Sequence, residues 1–222
     1  MKNNLRQNII LKNIVLLDEI NKSKKVKLIS EKELMNIMKK QNQNNLTSKN
    51  DLPNKSTLSN DSDLNFDLKL EIASGNKPKP GFIHFDVRKN IGADVLGDVR
   101  NLPFKDNTFS EIYSRFLLEH LSRKDAIKSL SEIYRVLKNN GTFEIIVPDL
   151  KYFCKLFISE KGQLKEWALN KMYGFENYDE DHHFFGYDEE ILTEFLKYVK
   201  FTYIKKIDDE EQYLHLIVKK VE

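Results

Sequence analysis

Asp86 closes the stretch LEIASGNKPKPGFIHFD at 70–86, where an apolar run meets a Ser-Gly turn, two prolines follow, and a second apolar run ends on the acid. An acid at the end of a second strand can accept hydrogen bonds from both hydroxyls of a ribose, as in doubly wound nucleotide sites. Gly75 lets the backbone approach a ligand closely. Glu71 stands in the first apolar run, where a carboxylate without a partner is costly. Asp98 follows a third apolar run and could equally cap the turn after it. The G-x-G-x-x-G fingerprint is absent, and the prolines of NKPKPG leave little room for a helix whose N-terminus would cradle a pyrophosphate. A second group of residues could move protons: His120 in LLEHL and His182–His183, with Asp149 and Tyr152 further candidates. His120 and His183 are the preferred pair. Their structural alternatives are a Glu119–His120 pair that fixes a helix to a sheet and a packed lid histidine. Tyr178, Phe184, Phe185 and Tyr187 could wall a pocket beside them.

These residues need elements to hold them. LKLEIA, FIHFDV, ADVLGDV and FSEIYS read as four strands, and TFEIIV as a fifth. Ser122 caps a helix with Asp125 three residues on and Ala126, Leu130, Ile133, Tyr134 and Leu137 at helical spacing. Its expected end is a left-handed cap at NNG, 139–141. Residues 188–198 give another helix, with Ile191, Leu192, Phe195 and Leu196 inward. FTYIKKI and YLHLIVKKV close the chain as a hairpin. Strands alternating with helices imply an α/β fold with a mostly parallel sheet covered on both faces, and the hairpin implies one antiparallel edge strand.

The remainder of the chain divides by composition. Residues 41–65 hold four leucines as their only apolar side chains, which predicts a flexible linker between a small basic extension at 1–40 and a domain at 66–222. In the extension, NIVLL at 13–17 could be strand or helix. Ser30 and Glu33 form a capping box for a helix through Lys40, with Leu34, Ile37 and Met38 on one face. That unit is too small for its own core and should dock on the body or on a partner. Residues 1–66 carry 12 Lys/Arg against 7 Asp/Glu, while the rest carries 24 against 27. The basic head lacks the interleaved aromatics that base stacking would want, so nucleic acid is not the expected partner. The longest apolar runs are too short for a transmembrane segment, and no signal peptide is read at the N-terminus. A single cysteine, Cys154, points to a reducing, cytoplasmic setting, and no metal site is expected around it.

LEIASGNKP, FIHFD, GDVRNLPF, FSEIYSRFLLEHL and RVLKNNGTFEIIVPDL, in that order, resemble the class I S-adenosylmethionine-dependent methyltransferases. The nearest likeness is a small bacterial-type group whose first motif reads LEIGSG-x-x-P and then PG-[FY]-I-x-x-D. MYGF…HHFFGYDEEILTEFLKYVKF resembles that group's C-terminal segment. The resemblance implies a Rossmann-like doubly wound, seven-stranded sheet and S-adenosyl-L-methionine as cofactor. It implies that Asp86 holds the ribose, that Glu71 lies near the methionine amino group, and that Asp98 with the Val99 backbone meets the adenine. It further implies that Ala73, Ser74 and Gly75 form the cofactor turn, that Leu102–Phe104 packs beside the adenine, and that Ser114, Arg115 and Phe116 face the crevice. S-adenosylmethionine has no phosphates, which suits a turn without a phosphate cradle. The expected acceptor is a small molecule or glycan, and with no Asn-Pro-Pro-Tyr motif after strand four, amino-group methylation of DNA or glutamine is disfavoured. Ala73 stands where the family usually has glycine. With no obvious base, it leaves a second reading open: a catalytically silent relative serving as a binding or scaffold module.

Overall fold

The computed structural model describes residues 27–46, 67–175, 177 and 179–221. The readings made for residues 13–17, for most of 41–65 and for Tyr178 lie outside these residues. Strands β1 (Lys69–Ile72), β2 (Ile83–Asp86), β3 (Val95–Leu96), β4 (Phe109–Arg115), β5 (Leu137–Pro148), β6 (Phe201–Ile207) and β7 (Tyr213–Lys220) form one sheet. Their order is β3-β2-β1-β4-β5-β7-β6. The first five are parallel, and β7 runs antiparallel to both of its neighbours. The expected antiparallel edge strand is therefore interior, and β6 takes the edge instead. Side-chain chemistry explains the exchange. YLHLIVKK buries five of its eight residues, whereas FTYIKKI buries only Phe201. The more apolar strand occupies the position paired on both sides.

Parallel neighbours ordinarily need a crossover helix. None stands between β1 and β2 or between β2 and β3, as the prolines of NKPKPG foretold for the first of these connections. Helix α1 (Glu31–Leu46), which precedes the sheet in sequence, packs beside β2. Its capping box forms as expected: Glu33 N donates to Ser30 Oγ at 3.3 Å, and Ser30 N donates to Glu33 Oε2 at 2.8 Å. Leu34 and Met38 enter the main core, and Gln41 Nε2 donates to the Phe82 carbonyl and to Asp94. The helix continues six residues past the expected end at Lys40.

Helix α2 (Arg123–Val136) is capped by Ser122, whose Oγ accepts from Asp125 N at 3.2 Å. It ends before NNG rather than at it, because Leu137 already has extended backbone and opens β5. Asn140 takes the left-handed conformation. Gly141 is needed for space instead, since a Cβ there would meet the Ser110 carbonyl at 2.9 Å. Helices α3 (Leu150–Ser159) and α4 (Gly162–Tyr173) were not anticipated. They pack on one another through Phe153 and Trp167 and follow β5 directly. Helix α5 (Glu189–Tyr198) buries Leu192, Phe195 and Leu196 as expected, with Ile191 at the margin. Leu102 and Phe104 lie in the core, where Phe104 meets Phe85 and Phe109 edge-on.

Candidate active site

Two adjoining hollows open at the carboxyl ends of β1, β2 and β4, where ligands bind in open α/β sheets. The larger is a cleft of about 840 Å³ that includes Glu71, Ser74, Gly75, Arg115, Glu119 and His183. The smaller, about 390 Å³, is walled by Ile72, Phe85, Val99, Leu121 and Phe184, with Asp86 and Asp98 at its polar side. Ala73 and His120 line both. Of Glu71, Ala73–Gly75, Asp86, Asp98, Val99, Ser114, Arg115 and the preferred pair His120 and His183, all but one line the hollows. The exception is Ser114, buried in β4 between Ile72 and Ile145 and lining neither. Leu102 and Phe104 are not in the smaller hollow either; both lie in the core, with Phe104 edge-on to Phe85. Asp149 and Tyr152 line a separate depression, where Asp149 caps α3 by accepting from Lys151 N. Tyr187 is fully buried, so it walls no pocket; its hydroxyl donates to the Leu118 carbonyl.

The turn after β1 is tight because Ala73 N and Ser74 N both donate to the Phe85 carbonyl, at 2.9 and 3.3 Å. Ala73 adopts φ +59° and Gly75 φ +60°. The alanine therefore keeps the left-handed backbone that glycine would take more cheaply. Across the cleft, Phe116 also has a positive φ, 56°, and its N–H donates to the Ile146 carbonyl. A bulky residue in that region is an outlier held by its surroundings, and such strain gathers at ligand sites.

The acids are already engaged. Asp86 accepts from Gly75 N at 3.1 Å and from Arg88 N and Nε at 3.0 and 3.2 Å. Burial alone would raise its pKa, but the Arg88 and Gly75 bonds outweigh that and hold the carboxyl below its ordinary value. Asp98 accepts from Arg100 N, Nε and Nη2, the last at 2.6 Å, and these bonds lower its pKa against a smaller effect of burial. It does cap the turn that follows it. Glu71 accepts from Lys79 N at 2.7 Å, with His84 Nε2 3.8 Å away. Burial nevertheless pushes its pKa up. Ser74 Oγ is buried without a hydrogen-bond partner on the cleft side of the turn. An orphaned hydroxyl and an apolar hollow beside two carboxylates fit a nucleoside with a polar tail.

The histidines meet as a pair. The rings of His120 and His183 stand 4.7 Å apart, edge to face. Burial lowers both pKa values; with the help of the neighbouring His120 it pushes His183 down to about 4. Glu119 does not pair with His120. It is 2% exposed, neither of its carboxylate oxygens has a partner, and burial pushes it up to about 8. Sequence reasoning missed this isolation, and also Arg88 and Lys171. Arg88 could have been suspected from its place two residues after Asp86. Lys171 lies on the unanticipated α4.

Residues 67–145 match the model of a methyltransferase domain family. An uncharacterized protein of Methanocaldococcus jannaschii is 40% identical over 53 residues, 24% of this chain and 22% of the relative. A ubiquinone/menaquinone biosynthesis C-methyltransferase of Neisseria meningitidis is 43% identical over 51 residues, 23% of this chain and 20% of the relative. The matched stretches thus cover less than a quarter of either relative's length. A solved structure from Pyrococcus horikoshii OT3 superposes with a TM-score of 0.51 at 16% identity, over 68% of this chain and 82% of that one, and so shares the fold. The family match over residues 67–145, the strand order with its interior antiparallel β7 and the ordered motifs together make the chain similar to the class I S-adenosylmethionine-dependent methyltransferases.

Proposed function

We propose that the chain transfers a methyl group from S-adenosylmethionine to a small-molecule or glycan-type acceptor. The observation that carries this reading is the junction of the two hollows. An apolar chamber with two carboxylates at its side meets a wider, more polar cleft at Ala73 and His120. In this reading the adenosine lies in the smaller hollow. Asp86 accepts from the ribose hydroxyls and Asp98 from the adenine amino group, each using lone pairs that Arg88 or Arg100 leaves open. Glu71 faces the methionine amino group with the backbone of the Ala73–Gly75 turn beside it. The cofactor supplies an already activated methyl on sulfonium. The chain's contribution is then to hold an acceptor atom in line with it, since positioning alone can supply much of such an acceleration. The larger cleft has room for the acceptor, and Arg115 and Lys171 line it. Arg115 suits an acceptor carrying an anionic group.

A labelled-methyl screen of nucleotide sugars, lipids and cell-extract fractions tests this. Label transferred to one fraction, and lost in Asp86→Ala, is the expected result. No transfer to any fraction, together with no binding of S-adenosylhomocysteine at millimolar concentration, would refute it.

A further inference from the structure

Glu119 and His120 sit on the single turn Leu118–His120 that follows β4. His183 is brought to them by backbone pairing, because Phe184 N and Phe185 N both donate to the Glu119 carbonyl, at 2.8 and 3.3 Å. One carboxylate oxygen of Glu119 and one nitrogen from each ring lie within 4.8 Å of one another. The rings are aimed in a particular way. His120 Nδ1 lies 3.2 Å from the His182 carbonyl and His183 Nδ1 lies 3.0 Å from the Lys171 carbonyl. A carbonyl only accepts, so in the neutral rings each Nδ1 carries the proton and Nε2 has the lone pair; the Glu180 carbonyl also acts on the His120 ring. A backbone carbonyl behind the distal N–H is the arrangement that orients metal-binding histidines. Glu119 supplies the second, independent observation: a carboxylate 2% exposed with both oxygens unpartnered. Its own backbone N–H and, more weakly, Lys171 act on it, but neither closes a hydrogen bond to either oxygen. A buried acid with no donor requires an explanation, and a cation is one that satisfies both oxygens.

We infer that Glu119, His120 and His183 form a binding site for one divalent transition-metal ion, with Zn²⁺ the best fit to a two-histidine, one-carboxylate donor set. Such a set leaves a coordination position open. Bonds of about 2.0–2.1 Å place tetrahedral donors about 3.3 Å apart, so the present spacing, within 4.8 Å, needs rotamer adjustments of up to about 1.5 Å to close. All three residues line the larger cleft, and His120 also lines the cofactor hollow. The open position would therefore face the space assigned to the acceptor, where an acceptor oxygen, nitrogen or sulfur could ligate beside the methyl donor. That last role rests on the methyl-transfer reading; the metal site does not.

The test uses the untagged full chain, stripped with a chelator and titrated with Zn²⁺ by calorimetry and with Co²⁺ by absorption. One ion per chain and intense bands of four- or five-coordinate cobalt are expected. Affinity should fall at least a hundredfold in Glu119→Gln and in His183→Ala, with melting profiles confirming that each variant folds. Absence of stoichiometric binding by the wild type, or undiminished binding by folded variants, overturns the inference. If the variants do not fold, the wild-type cobalt spectrum decides alone, and a weak octahedral spectrum counts against the site. S-adenosylhomocysteine binding, measured in parallel without metal, separates the two claims. Cofactor binding with no metal site sinks only this inference, whereas a metal site with no cofactor binding sinks only the methyl-transfer reading.

Discussion

Asp86 gives both carboxylate oxygens to the chain's own donors, Oδ1 to Arg88 N and Nε and Oδ2 to the Gly75 amide and Arg88 Nη2. In the proposed reading the cofactor's ribose adds to this set, so the residue should matter to cofactor binding more than to folding. A hydrogen bond to a charged group contributes roughly 1.5–3 kcal/mol, so Asp86→Ala should weaken S-adenosylhomocysteine binding by about tenfold to a few hundredfold. Titration calorimetry reads this directly, and an unchanged affinity would remove Asp86 from the site. Ala73 gives the opposite kind of prediction. Its φ of +59° costs an L-residue roughly 1–2 kcal/mol, part of which glycine loses again to unfolded-chain entropy. Ala73→Gly should thus raise stability in urea by about 0.5–1 kcal/mol and leave cofactor affinity unchanged or higher. A destabilised variant would show that the methyl group packs productively. The position of Ala73 was legible in sequence, but its backbone was not, since an alanine ordinarily signals a negative φ. The isolation of Glu119 was hidden for another reason: it depends on where the backbone of residues 183–185 returns, far along the chain.

At the scale of elements, the five parallel strands could be read because each is a short apolar run ending near an acid, a glycine or a polar turn. The order of β6 and β7 could not, because a hairpin of two alternating strands does not say which strand turns inward. Helices α3 and α4 escaped because LKYFCKLFIS mixes apolar and basic residues without a clean stripe; Asp149 as a cap was the signal available. The N-terminal helix was legible from its capping box, and its consequence is larger than a surface extension suggests. Leu34 is fully buried in the core of the sheet, so Leu34→Ala should cost about 2–5 kcal/mol in chemical denaturation. A loss under about 0.5 kcal/mol, the range of ordinary surface changes, would mean that α1 is dispensable. His84 joins the same region: its ring meets Asp94 on the β3 side, the Lys79 carbonyl and Glu71. Burial works against its charge, but the Asp94 bond, the carbonyl and the two acids outweigh it and raise its pKa above 6.5. The protonated ring is therefore favoured in the fold. Its contribution is present below about pH 6.5 and lost as pH rises through the higher folded-state value. Thermal stability should fall between about pH 6 and 8, and His84→Gln should flatten that part of the profile. An identical slope in the variant would assign the dependence to another group.

For the whole molecule, the sheet places two hollows side by side and lets one alanine and one histidine border both. No helix among the described residues is long and apolar enough to cross a membrane. What the sequence carried best was the order of its motifs, which brought Glu71, Asp86 and Asp98 to one end of the sheet despite strands as short as Val95–Leu96. What it carried least was the wall of the larger cleft built from α4 and the 179–186 segment, whose contacts join residues some sixty positions apart and leave no local periodicity. The central claim is that the junction holds an adenosyl sulfonium cofactor. The most direct measurement is a calorimetric titration of the full chain with S-adenosylhomocysteine, run in parallel on Asp86→Ala and on Tyr152→Phe, which lies in the separate depression. The predicted result is one molecule bound per chain by the wild type and by Tyr152→Phe, with affinity reduced at least tenfold in Asp86→Ala. Equal binding by all three, or no binding by the wild type at millimolar concentration, would contradict the account.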